Sequence, residues 1–137
     1  MNARRILTLA CVWLWLTGTT AAGPPVDDYQ TITKTATATT AQSDTALWTP
    51  TTGNYFVLQG CFFSSDFPVE FDLEVSDVDV IAPVKLESYG NALVGGGEAA
   101  IYVSAKDAVL RYSTSSTGLG LLTASTSVTC WGYEIRE

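Results

Sequence analysis

The eight residues 68–75, PVEFDLEV, alternate strictly between apolar and acidic side chains. Val69, Phe71, Leu73 and Val75 share one face, and Glu70, Asp72 and Glu74 share the other. A period of two with one greasy face is the pattern of a half-buried β-strand. Across Ser76-Asp77 the phase slips by one, because Val78 and Val80 become the apolar positions. A one-residue slip exchanges the two faces, so a tight turn or bulge is predicted there. Residues 55–63, YFVLQGCFF, are almost continuously apolar and read as a central strand buried on both faces. Shorter strands are predicted at 47–49, stopped by Pro50, and at 84–89, 98–104 and 108–113. A long one closes the chain at 125–135. Turn residues mark 51–54 and 115–118, and Gly95-Gly96-Gly97 reads as a flexible connection. No stretch keeps a helical period. The expectation is an all-β protein, an antiparallel β-sandwich of about eight strands.

Residues 1–22 read as an export signal. Arg4 and Arg5 precede an apolar run, residues 6–16 (ILTLACVWLWL), that is too short to span a bilayer. Residues 17–22 (TGTTAA) supply the small side chains of a cleavage site, with cleavage expected after Ala22. An uncleaved anchor is one alternative. A lipoprotein on Cys11 is another, disfavoured because Thr8 stands where leucine is wanted and most of the apolar run follows the cysteine. No second long apolar run predicts a membrane span in the exported chain, which is expected to be secreted, extracellular or periplasmic. Residues 23–42 read as an extended Thr/Ala-rich arm. Its segment 30–42, QTITKTATATTAQ, has strand periodicity but no large apolar residue after Ile32. Such a segment gains little burial alone. It is expected to be mobile or docked as an edge strand, and the sharper reading pairs it with a neighbouring subunit. Residues 43–137 form the sandwich domain.

Cys11 leaves with the signal, so Cys61 and Cys130 remain. A pair of cysteines in an oxidising compartment predicts one disulfide. Closing a loop of about 70 residues, it would contribute on the order of 4 kcal/mol. The alternative is two separate buried thiols. Two cysteines without histidine make a poor zinc site.

The chemistry open to the chain is narrow. Histidine is absent from all 137 residues, which removes histidine-activated nucleophiles and histidine-based zinc sites. Hydrolysis by paired carboxylates would draw on Glu70, Asp72, Glu74, Asp77 and Asp79, whose spacing reads instead as the solvated face of a strand. No catalytic residue and no cofactor is therefore expected. The full chain carries a net charge of −7, and losing Arg4 and Arg5 makes it more acidic. Such a surface repels phosphate backbones, so no nucleic-acid partner is expected. Glu74, Asp77 and Asp79 are candidate calcium ligands, because Ca²⁺ wants several oxygens around a turn. Trp48, Trp131 and Tyr133 are candidate ligand-binding aromatics, with core packing as the default reading. Gly132 leaves a gap that a neighbouring ring or backbone would fill.

Asp44-Thr45-Ala46-Leu47-Trp48-Thr49-Pro50, then a glycine-containing turn, Phe56-Val57-Leu58 and a terminal Gly132-Tyr133-Glu134-Ile135 form one more pattern. On these residues the chain from Ser43 onward resembles small jelly-roll domains of phage and prophage structural proteins, of the head-decoration or fibre type. The resemblance implies a jelly-roll-like sandwich that works as an oligomeric display or attachment module without catalytic residues. The signal and the cysteine pair point to a secreted relative. The expected function is a secreted, non-enzymatic structural, surface or adhesive module. Its partners would be copies of itself in a homo-oligomer, or a cell-surface or virion component. The alternative is a carbohydrate- or calcium-dependent ligand-binding module.

Overall fold

The computed structural model describes residues 30–116 and 125–136. The expected export signal at 1–22, the lead-in at 23–29 and the second half of the turn expected at 115–118 lie outside them. The described residues contain ten strands and no helix. In chain order these are β1 (Ile32–Ala38), β2 (Thr45–Trp48), β3 (Asn54–Ser65), β4 (Val69–Val75), β5 (Val78–Asp79), β6 (Val84–Leu86), β7 (Gly90–Gly95), β8 (Tyr102–Val103), β9 (Leu110–Ser116) and β10 (Thr126–Arg136).

They form two antiparallel sheets. The first runs β1-β10-β3-β7, with β8 also on β3, and the second runs β2-β9-β4-β5, with β6 also on β4. Strand β10 lies along the whole of β3, so β7 and β8 follow one another on its other edge. Likewise β9 occupies one edge of β4, and β5 and β6 share the other. The ten segments therefore fill eight strand positions, four per sheet, which reconciles them with the expected count.

Between the sheets lies one core. Its fully buried members include Trp48, Phe56, Leu58, Phe63, Phe71, Leu73, Leu110 and Val128, with Cys61 and Cys130 among them. Burying each large apolar side chain contributes about 1.5–3 kcal/mol. Strand β4 follows its sequence pattern residue by residue, with Val69, Phe71, Leu73 and Val75 buried and the acids between them half-exposed. The expected phase slip is a two-residue turn. Val75 pairs with Val78, and Ser76 and Asp77 both take positive φ, 53° and 60°. That conformation matches the twist of a hairpin.

Strand β3 meets the expectation of burial on both faces along Phe56-Val57-Leu58, all buried, and departs from it at Phe62, which is exposed. Leu58 pairs with Gly132 but Gly60 pairs with Trp131, so Gln59 is an extra residue, a bulge. The bulge resets the alternation. Phe56 and Leu58 before it and Cys61 and Phe63 after it all face the core, while Val57, still buried, and the exposed Phe62 turn to the other face. Two glycines make this packing fit. A Cβ on Gly132 would overlap the Val57 carbonyl oxygen, and one on Gly60 would overlap the Trp131 ring. The gap read at Gly132 is thus filled by backbone, and the ring fills the gap at Gly60. We expect Gly132→Ala to lower the unfolding free energy by about 1–3 kcal/mol, as overpacking does. Urea denaturation checks this, and an unchanged midpoint would contradict the packing described.

Residues 32–38 of the Thr/Ala-rich arm are docked. Strand β1 pairs along β10 from Ile32 opposite Gly132 to Ala38 opposite Thr126. Ile32 and Ala36 rest against the core, while Thr33, Thr35 and Thr37 are exposed. Among the described residues no helix is long and apolar enough to cross a membrane.

Candidate functional site

Charge is divided between the two outer surfaces of the sandwich. The alternation that turns the apolar residues of β4 inward turns Glu70, Asp72 and Glu74 outward on the second sheet. Pairing adds Asp79 opposite Glu74, Lys85 opposite Glu70 and Arg111 opposite Glu74. The Lys85 Nζ lies 2.9 Å from Glu70 Oε2. Arg111 turns to the other side, its Nη1 donating to the Asp44 carbonyl at 2.8 Å and lying 3.3 Å from Asp44 Oδ2.

Asp72 and Glu74 are left among like charges. Lost hydration raises the Asp72 pKa first, and Glu70 and Asp79 raise it further. Lost hydration also raises Glu74, followed by the charges of Asp79, Asp72, Asp77 and Asp44. Their contribution to stability is therefore fullest below their ordinary values of 3.8 and 4.5 and declines as pH rises through the raised folded values. We expect Asp72→Asn to stabilise the protein by about 0.3–1 kcal/mol at neutral pH and low salt, with the gain shrinking as salt screens the face. Thermal melts at two ionic strengths test it, and a destabilised variant would refute the repulsion.

The candidate calcium ligands do not assemble. Glu74 and Asp79 face each other across a hairpin, and Asp77 sits in its turn. Among the described residues no group of three or more His, Cys, Asp or Glu is arranged to hold a metal.

The first sheet presents a different surface. The residues of β1, β3, β7, β8 and β10 that pair outward are Thr, Ser, Asn, Gly, aromatic or aliphatic, and none is charged. Phe62 on β3 lies opposite Leu93 on the edge strand β7, and they are 41 % and 60 % exposed. Val103, 55 % exposed, lies opposite Val57. Trp131 is half-buried, its ring laid over Gly60. The Thr35 and Thr129 hydroxyls bond each other at 2.9 Å across the strands.

The aromatic candidates thus separate. Trp131 and Tyr133 are both half-buried on this outer surface. Trp48 is not available to a ligand. It is fully buried and stacks on Phe56 with ring centroids 5.3 Å apart. Its indole Nε1 donates at 2.9 Å to Glu134, a partner not visible from Trp48's own neighbourhood in the sequence. The cysteine pair is bonded. Cys61 and Cys130 lie opposite each other on β3 and β10 with Cα atoms 4.1 Å apart, inside the ~7 Å limit.

A groove of about 370 Å³ lies beside the β1–β2 connection, lined by Thr37, Ala38, Thr39, Thr40, Gln42 and Ser125. None of these side chains is an acid or base at working pH, so the groove offers no proton-transfer group. Sequence reasoning missed Phe62, Leu93 and Val103. The signal for Phe62 was its place two residues beyond Gly60, but the bulge that turns it outward leaves no fixed mark. No protein-family model matches the chain, and no curated protein emerges as a relative of it.

Proposed function

We propose that the chain is an exported, non-catalytic β-sandwich that serves as a structural, surface or adhesive module by associating with other protein chains, its own copies first. The observation that carries this reading is the uncharged, partly apolar outer surface of the first sheet on a strongly acidic protein. Monomeric soluble proteins rarely expose contiguous apolar patches larger than a few hundred Å², and larger ones mark interaction sites. The bonded Cys61 and Cys130 support export to an oxidising compartment. The strand order β1-β10-β3-β7 over β2-β9-β4-β5 supports a jelly-roll reading, because the chain crosses repeatedly between two four-stranded sheets as in paired Greek keys. The likeness of residues 44–58 and 132–135 to head-decoration and fibre domains is what suggests a cell surface or virion as the setting. The acidic outer face of the second sheet disfavours nucleic acid as a partner.

Protein recovered from an exporting host tests the proposal. The expected result is a chain starting at Gly23 that runs as an assembly larger than one chain by light scattering. A product still beginning at Met1 in the membrane fraction overturns the export reading. A monomer at high concentration overturns self-association.

A further inference from the structure

We infer that two copies of this chain pack face to face through the outer surface of the first sheet. The inference rests on the self-association proposed above and names its surface and its partner. Charge partition selects a second copy. Glu70, Asp72, Glu74 and Asp79 all project from the second sheet, so any contact that brings two second sheets together sets like charges against each other. The first sheet presents no charge, and two copies joined there turn their acidic faces to opposite ends. Lys34 does not disturb this, because it pairs with Cys130 and so lies on the inward side of the edge strand.

The surface is also large enough. Four strands about 4.8 Å apart, each of about seven residues at ~3.3 Å rise, cover roughly 20 by 23 Å. That is a footprint of roughly 460 Å² per partner, which the relief of pleat and side chains brings close to the ~600 Å² per partner at the low end of stable specific interfaces. The two central strands of the face carry Phe62 on β3 and Trp131 on β10, and Leu93 lies beside Phe62 on the edge strand β7. Aromatic and aliphatic groups at the centre with hydroxyls around them are the usual anatomy of an interface. The Thr35–Thr129 bond lowers the cost of drying the face, since each hydroxyl already has a partner. Two outward sheet faces stack at about 10 Å, as sheets do within a sandwich. A two-fold contact of this kind is self-complementary and stops at two copies.

Light scattering on protein recovered from an exporting host reads the outcome. The native chain is expected to be a dimer. The double substitution Phe62→Glu, Leu93→Glu places four charges in the contact and is expected to weaken association at least about 100-fold. The milder Phe62→Thr, Leu93→Thr keeps strand propensity and is expected to weaken it about tenfold, with circular dichroism reporting that the sandwich is intact. Val78→Lys, at an apolar residue 66 % exposed on the second sheet, is expected to leave the dimer unchanged. An assembly that survives both double substitutions, or that Val78→Lys dissolves, overturns the assigned face while leaving self-association standing. A native monomer overturns both. A native monomer retained on an insoluble polysaccharide through Phe62 and Leu93 gives the face to a carbohydrate and overturns the dimer.

Discussion

Replacing Cys61 and Cys130 together by alanine is expected to lower the unfolding free energy by about 4 kcal/mol, with the fold retained. The bond closes a loop across a sequence separation of 69, and the freedom it removes from the unfolded chain grows with the logarithm of loop length. It also ties the two central strands of the first sheet, β3 and β10, at the middle of their pairing. Both cysteines are fully buried within the core cluster, so alanine is the cleaner replacement. Serine would add two buried hydroxyls in an apolar setting. Strand pairing on either side of the bridge, and the core beneath it, remain when the bond is gone. Equilibrium urea denaturation of the oxidised native protein and the double variant measures the difference. A loss below about 1 kcal/mol would show that the unfolded chain is already constrained without the bond.

How much of this was legible in the sequence depended on whether the information was local. Strand β4 was readable because strict alternation leaves one solution, and its burial follows that alternation. The turn at Ser76-Asp77 was readable from the phase slip alone, and both residues adopt the positive φ of a hairpin turn. The cysteine pairing followed from there being one pair left once residues 1–22 are read as an export signal. The bulge at Gln59 was not readable. An apolar run buried on both faces and an apolar run that reverses its alternation have the same composition, and only the register with Trp131 and Gly132 tells them apart. The uncharged surface was hidden for the same reason. No single strand contains it, since it is made of every second residue from five segments placed side by side. Trp48 was one of three candidate ligand-binding aromatics, with core packing as the default reading. Long-range pairing buries it and gives its indole a carboxylate. The arm showed its period of two, yet its docking on β10 rests on a strand nearly a hundred residues away.

That carboxylate is the other point where a single change is expected to cost most. Glu134 lies on β10 in the first sheet, and it accepts hydrogen bonds from three groups. They are Trp48 Nε1 on β2 of the second sheet at 2.9 Å, the Thr51 amide at 2.9 Å and Asn54 Nδ2 at 3.0 Å. One side chain thus joins both sheets and the connection between β2 and β3. Glu134→Ala is expected to cost about 2–4 kcal/mol, because it strands a buried indole N–H and removes three bonds to a charged acceptor. Glu134→Gln keeps the shape but turns a donor toward donors, so an intermediate loss of about 1–2 kcal/mol is expected. The acid dependence has a definite sign. Burial alone would raise the Glu134 pKa, but the bonds from Trp48, Thr51 and Asn54 together outweigh it and hold the value below 4.5. The stability it contributes is complete above pH 4.5 and is lost as pH falls through the lowered folded value, opposite in direction to Asp72 and Glu74. The Gln variant should therefore lose less stability on acidification than the native chain does. Adding Trp48→Phe to Glu134→Ala should cost less than Trp48→Phe alone, since the indole N–H no longer has its acceptor. Strict additivity of the two changes, with an unaltered acid limb, would mean that the carboxylate does not act through these bonds.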